Sequence, residues 1–245
     1  MQFLILGCGT IIPQKNCCHC SGYLIDGRML IDCGPGIWHA LCKEQVDITT
    51  LKYILLSHFH VDHAADLAAI LATRYMLKAG QYGLLKLIGP PGLISWYKRL
   101  KALLGEWVDQ LAMEIIQTDN LITVPEYEIK TGKTMHTENS ICYRLTDQQG
   151  RILFYSGDSG YHDNLIALAR AADLAVIEAS HCTAASEQGH LTPALAGEIA
   201  YRAAVKRLLL THRYPDVSDT QALTEAQQIF KGEVRLATDG LKIII

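Results

Sequence analysis

Residues 57–63 run Ser57, His58, Phe59, His60, Val61, Asp62, His63. Four of these side chains, His58, His60, Asp62 and His63, carry donors for a metal ion. Neutral imidazole combined with carboxylate suits zinc and, less selectively, iron or manganese. No regular element aims all four at one point. A strand places His58, His60 and Asp62 on one face and turns His63 away; a helix groups His58, Asp62 and His63 and turns His60 away. A loop curling around a centre brings all four together. The flanking sequence predicts such a loop: Tyr53, Ile54, Leu55 and Leu56 form a wholly apolar strand buried on both faces, and the Ala- and Leu-rich residues 64–79 form a helix. Asp62 and His63 then open that helix, where the macrodipole favours a carboxylate.

A pair of metals needs more donors, and these stand where later apolar strands end. His136 follows a strand over 127–135, Asp158 follows one over 151–156, and His212 follows one over 206–211. Open α/β sheets build their sites at the carboxyl ends of strands. The elements around these positions alternate. Strands are predicted at 2–7, at 22–33 as a hairpin turning at Asp26 and Gly27, at 85–88, 111–117, 140–146, 173–177, 233–237 and 241–245. Helices are predicted at 37–45, from the glycine–proline run at 89–92 to about Leu104, and at 161–171, 193–204 and 219–230. Early hairpins followed by strand–helix alternation fit layered sheets covered by helices, an α/β class.

In order and spacing these motifs resemble the metallo-β-lactamase superfamily, in particular its ribonuclease Z-like branch of phosphodiesterases. The resemblance runs from Leu6-Gly7-Cys8-Gly9-Thr10 through Leu30-Ile31-Asp32-Cys33-Gly34 and the 57–63 loop. It continues through Met135-His136-Thr137, Tyr155-Ser156-Gly157-Asp158, Ile177-Glu178-Ala179, Gly189-His190-Leu191-Thr192 and Leu210-Thr211-His212. It implies a four-layer αββα sandwich, with residues 1–245 as one hydrolase domain and two divalent metals at one edge of the sheets. By this resemblance His58, His60 and His136 hold the first metal, Asp62, His63 and His212 the second, and Asp158 bridges them. Asp32 supports a ligating imidazole from beneath. Glu178 and His190 contact the scissile phosphate and assist the leaving group.

Two such metals, zinc first with manganese or iron as alternatives, share a water and lower its pKa toward about 7. The implied nucleophile is that bridging hydroxide, oriented or deprotonated by Asp62, with His190 as general acid tuned by Glu178. The expected substrate is a small phosphodiester, a cyclic nucleotide or a short oligonucleotide. Transfer-RNA-processing members carry a protruding basic arm. Residues 150–190 hold no long Gly- or Lys-rich insertion and the net charge is −3, which argues against transfer RNA. A thioester or lactone hydrolase on the same scaffold is the alternative, and it needs no Glu178–His190 pair. Further alternatives are a non-catalytic metal- or ligand-binding protein and a di-iron oxidoreductase. The latter carries a carboxylate where this chain has His60 and requires a flavin domain that does not fit in 245 residues.

Composition is consistent with this reading. Hydrophobic residues at 49% against 19% charged supply a sizeable core and exclude global disorder. The densest basic cluster, Lys98, Arg99 and Lys101, alternates with Trp96, Tyr97 and Leu100 as a solvated helix face would. The N-terminus carries no basic secretory leader, and no apolar run is long enough for a spanning helix, so the expectation is a cytoplasmic protein with no membrane partner. Eight cysteines are then read as reduced thiols. Cys17, Cys18, His19 and Cys20 are spaced too tightly for an ordinary structural zinc site. They read as small loop residues, with a regulatory metal or redox site as the alternative. His39, His162 and His181 are assigned to surface or packing. The resembling enzymes suggest a homodimer.

Overall fold

The computed structural model describes residues 1–13, 18–118, 120–183 and 188–245; Cys17 lies outside the described residues. Its strands alternate between two cores. In β1 (Gln2–Gly7), Phe3 and Ile5 enter one buried cluster while Leu4 and Leu6 enter another. β2 (Gly22–Ile25), β3 (Met29–Ile31) and β4 (Tyr53–Leu55) divide the same way, with Tyr23, Ile31 and Leu55 on the first side and Leu24, Leu30 and Ile54 on the second. This period-two split, apolar on both faces, is what a strand inside a sandwich requires.

With β5 (Leu85–Gly89), β6 (Met113–Gln117) and β14 (Lys242–Ile244), these strands form a seven-stranded sheet in the order β14-β1-β2-β3-β4-β5-β6. The second sheet contains β7 (Leu121–Val124), β8 (Tyr127–Lys133), β9 (Ile141–Asp147), β10 (Ile152–Tyr155), β11 (Leu174–Glu178), β12 (Arg207–Thr211) and β13 (Glu233–Leu236). Its order is β13-β12-β11-β10-β9-β8-β7. Each sheet is mixed: β3 to β6 and β10 to β13 pair in parallel, and the other neighbours are antiparallel.

The sheets pack face to face through Tyr23, Ile31 and Leu55 on one side and Tyr143, Leu153 and Val176 on the other. Helices α1 (Ile37–Lys43), α3 (Leu67–Met76) and α4 (Leu93–Leu104) cover the outer face of the first sheet. α5 (Asp163–Ala169), α6 (Pro193–Arg202) and α7 (Asp219–Ile229) cover the second. The result is the αββα sandwich that the motif resemblance implies. Among the described residues, no helix is long and apolar enough to cross a membrane.

Two elements differ from the sequence reading. The helix expected over 64–79 is two pieces, a single turn α2 (Val61–Ala64) and then α3. The Asp66 N–H donates to Cys33 O at 2.9 Å, and Asp62 O accepts from Ser21 N at 3.2 Å. One rung of the helical ladder is thus replaced by two bonds to other segments. β7 was not anticipated: it is a half-exposed edge strand with too few buried apolar residues to stand out.

Candidate metal centre

The carboxyl ends of the parallel strands of both sheets meet at one edge of the sandwich. β4 delivers residues 57–63, whose backbone stays extended at His60 (φ −65, ψ 154) before turning into α2. Gly34 lies directly under this turn. A Cβ there would sit 1.9 Å from Asp62 O, so only glycine allows the approach. β8, β10 and β12 deliver His136, Asp158 and His212 from the other sheet.

The seven donors converge. His136 Nε2 lies 3.1 Å from His60 Nδ1, and His58, His60 and His136 offer three nitrogens within 4.8 Å of one another. His63 Nε2 lies 3.4 Å from His212 Nε2, which in turn lies 3.4 Å from Asp62 Oδ2. Asp158 stands between the two groups. Its Oδ2 is 3.9 Å from His58 Nε2, 3.8 Å from His136 Nε2 and 3.5 Å from His212 Nε2, and its Oδ1 is 3.3 Å from His63 Nε2.

These separations fit metal binding. A tetrahedral zinc with bonds of about 2.0–2.1 Å to nitrogen spaces its donors roughly 3.3 Å apart, close to the 3.1 and 3.4 Å between facing imidazoles. Moreover, among the described residues, His58 Nε2 and Asp158 Oδ1 are buried with no hydrogen bond. Buried polar atoms are normally satisfied, and a cation between them removes the anomaly.

The far sides of four of the five rings are held by oxygen. His136 Nδ1 donates to Gly189 O at 3.1 Å, which leaves the Nε2 lone pair facing the cluster. His58 Nδ1 meets Ser57 Oγ at 3.0 Å, and His212 Nδ1 meets Ser180 Oγ at 3.1 Å. Beneath the loop, Asp32 is fully buried. Its Oδ2 accepts from His63 Nδ1 (2.8 Å), Ser57 Oγ (2.7 Å) and Tyr155 OH (2.7 Å), and its Oδ1 from Ser57 N (2.7 Å). Asp32 (φ 55) and His212 (φ 50) both adopt left-handed backbone, uncommon for residues with a Cβ. Such strain persists only where the surroundings over-determine it.

Burial holds His58 well below the ordinary imidazole range and takes His136 down to about 4. Both rings are therefore neutral at pH 7, as metal ligation demands. Burial also opposes protonation of His63, but Asp158 and Asp32 outweigh it and push that ring well above its usual value. Burial resists ionisation of Asp62 and Asp158; their imidazole neighbours His212 and His63 prevail, and both carboxyls sit below their usual value.

At one flank, His190 Nδ1 is 3.0 Å from Glu178 Oε2, and its ring centre lies 4.7 Å from that of His136. Glu178 ends β11, buried, with Oε1 accepting from Ser159 N and Oε2 from Ser180 Oγ. Burial pushes its carboxyl up. His181 is buried rather than on the surface. It stacks on Tyr214 (centroids 4.5 Å, 15°) and lies 3.3 Å from Asp216 Oδ1, behind His190. His162 caps α5 by accepting from Asn164 N, and His39 is exposed. Tyr155 and Gly189 stand in the motifs quoted above but were given no role there, and Ser180 was not singled out from sequence. Ser180 stands two residues beyond Glu178, the one local cue to its place.

Residues 27–213 match the β-lactamase superfamily domain. This chain belongs to the β-lactamase superfamily. Within the superfamily, an uncharacterized protein of Mycobacterium tuberculosis is 31% identical over 246 residues, covering 96% of this chain and 88% of that protein. The probable metallo-hydrolase YhfI of Bacillus subtilis is 29% identical, covering 98% of each chain. YhfI's crystal structure, described as a metallo-β-lactamase fold protein, aligns with a TM-score of 0.85 at 27% identity, covering 99% of this chain and 98% of its own. Ribonuclease Z of Geobacillus kaustophilus is 26% identical over 302 aligned positions, covering 98% of this chain and 97% of that enzyme. The chain is thus a metallo-hydrolase of the β-lactamase superfamily, whose fold implies divalent-metal binding, and its His/Asp clusters offer donors suited to such ions.

Proposed function

We propose that the protein is a dinuclear, metal-dependent phosphodiesterase acting on a small phosphodiester such as a cyclic nucleotide or a short oligonucleotide. The observation that carries this reading is the His190–Glu178 pair placed beside a double set of metal donors. His58, His60 and His136 would hold one ion and Asp62, His63 and His212 the other, with Asp158 within reach of both groups and zinc the ion that best suits this donor set. Bound there, the two ions supply a water acidified toward neutrality and offset negative charge at phosphorus.

The chain's own groups do the rest. Asp62, ionised and 8% exposed, accepts the proton that the attacking water loses. Glu178 holds His190 through Nδ1, so the remaining ring nitrogen is the one that exchanges a proton with substrate. That proton goes to the leaving oxygen as its bond to phosphorus breaks, so that one monoester and one alcohol result. The small size of the substrate rests on two facts: the net charge is −3, and the Geobacillus ribonuclease Z alignment runs over 302 positions against 245 residues here. Segments of that enzyme therefore have no counterpart in this chain.

The test is to count metals in untagged protein by mass spectrometry and to assay bis-p-nitrophenyl phosphate with and without a chelator. About two ions per chain and chelator-sensitive cleavage support the proposal. Two ions without cleavage defeat the phosphodiester assignment, and fewer than one ion in folded protein defeats the whole reading.

A further inference from the structure

A second group of donors gathers away from the His–Asp centre, from three distant parts of the chain. Cys8 follows β1, Cys18 precedes β2, and Asp239 lies between β13 and β14. The two sulfurs and a carboxylate oxygen of Asp239 all lie within 4.8 Å of one another. Cys8 Sγ is 3.4 Å from Asp239 Oδ1 and 3.3 Å from Ala237 O. The other carboxylate oxygen, Oδ2, accepts from His19 N at 2.8 Å, which fixes the group and leaves Oδ1 to the thiols. We propose that Cys8, Cys18 and Asp239 form a further metal site, separate from the His–Asp centre, for one soft divalent cation of the zinc–cadmium class.

Geometry and chemistry agree on this. Bonds of about 2.3 Å to sulfur and 2.0–2.2 Å to oxygen set tetrahedral S···O edges of roughly 3.6 Å, close to the 3.4 Å between Cys8 and Asp239. Cys8 is buried and Cys18 half-buried. Their mutual hydrogen bond, with burial, pushes the Cys8 thiol well up, while the same bond lowers Cys18. One proton is therefore held tightly and the other loosely. Binding replaces both: two thiols and one M²⁺ give a dithiolate complex and two released protons. A cavity of about 350 Å³, bordered by Cys18, Asp239, His19, Arg213, Lys43 and Glu44, opens on the cluster. It supplies access and room for a fourth donor from solvent. The site also touches the catalytic edge through the backbone, because Cys8 O accepts from His212 N at 2.9 Å. The cation thus clamps the segment before β2 and the turn before β14 onto the strand end that anchors His212.

The experiment is a cadmium(II) titration of the reduced full-length protein, read by the ultraviolet thiolate-to-cadmium charge-transfer band. Wild type should develop the band with one equivalent. Cys18→Ser and Asp239→Asn, both at incompletely buried positions, should each weaken that binding by more than about tenfold while keeping wild-type circular dichroism. Cys182→Ser should leave it unchanged. His60→Ala should also keep the band, which separates this site from the proposed phosphodiesterase centre. A wild type without the band, or a Cys18→Ser protein with wild-type cadmium affinity, overturns the proposal. A Cys8–Cys18 disulfide found by peptide mapping before reduction overturns it in favour of a redox pair.

Discussion

Asp32→Asn tests whether a carboxylate beneath the 57–63 loop sets the state of the proposed ligand His63. Asparagine keeps the volume of aspartate and tolerates the left-handed backbone at φ 55, so the substitution isolates charge and hydrogen-bond polarity. Asp32 accepts four bonds: three at Oδ2, from Ser57 Oγ, His63 Nδ1 and Tyr155 OH, and one at Oδ1 from Ser57 N. An amide with its oxygen at the Oδ2 position aims its NH₂ at the Ser57 N–H, donor against donor. Turned the other way, it aims that NH₂ at His63 Nδ1. The two hydroxyls can rotate to accept, but His63 can accept only by moving its proton to Nε2, the nitrogen facing Asp158 and His212. Either orientation loses one buried contact, about 1–3 kcal/mol. The lost charge raises the total to about 3–5 kcal/mol, as for other broken buried pairs. Metal affinity should fall about 10–100-fold, the usual effect of removing a ligand's hydrogen-bond partner. Urea titration gives the first number and competition with a chromophoric chelator the second. An Asn variant with the wild-type urea midpoint and wild-type metal affinity refutes the reasoning.

His190→Ala should lower kcat on a phosphodiester by about 10²–10⁴-fold, the range for loss of a positioned acid, with metal content unchanged. A drop in metal content would instead make His190 a ligand, and unchanged kcat would favour thioester or lactone chemistry. Gly34→Ala should destabilise the protein by about 3 kcal/mol or more, since its Cβ would meet Asp62 O at 1.9 Å; an unchanged melting temperature would show that the loop can move aside. The metal-free protein should lose stability as pH falls from about 6.5 toward 4. His136 binds its proton near 4 in the fold against 6.5 unfolded, so its contribution is complete above the unfolded value and lost as pH drops through the folded one. His63 acts in the opposite sense, its contribution being present below 6.5 and lost as pH rises through its elevated folded value. Urea midpoints of wild type and His136→Gln between pH 4 and 7 separate the two, and equal slopes would refute the assignment.

The donors were legible because each stands where an apolar run stops. His58, His136, Asp158 and His212 all follow strands whose hydrophobicity is plain, and the topology then has only one edge at which to bring those ends together. The partners that orient the rings were less legible. Ser180 and Tyr155 are ordinary residues whose role depends on which neighbour a fold places 3 Å away, here His212 and Asp32. The break at Asp66 was hidden for the same reason. The sequence is helical on both sides, and the competing acceptor, Cys33 O, belongs to another strand's end. In the Cys17–Cys20 cluster, Cys18 gathers with Cys8 and Asp239, two residues far from it in the chain, so local spacing held no cue to that group.

The division of donors between the sheets links chemistry to stability. His58, His60, Asp62 and His63 come from the first sheet, and His136, Asp158 and His212 from the second. Between the sheets the interior is apolar, with Tyr23, Leu55, Tyr143 and Val176 in contact. At the edge that holds the His–Asp donors, imidazoles and carboxylates replace that apolar contact. This edge places His63 and His212 with their Nε2 atoms 3.4 Å apart, and His58 Nε2 and Asp158 Oδ1 find no hydrogen-bond partner among the described residues. Asp158 has carboxylate oxygens within 4 Å of imidazole nitrogens from both groups, so it couples the two halves of the sandwich as well as the two halves of the site. A metal held at this edge, as proposed, would therefore also bind between the sheets, and its binding free energy would add to that of folding.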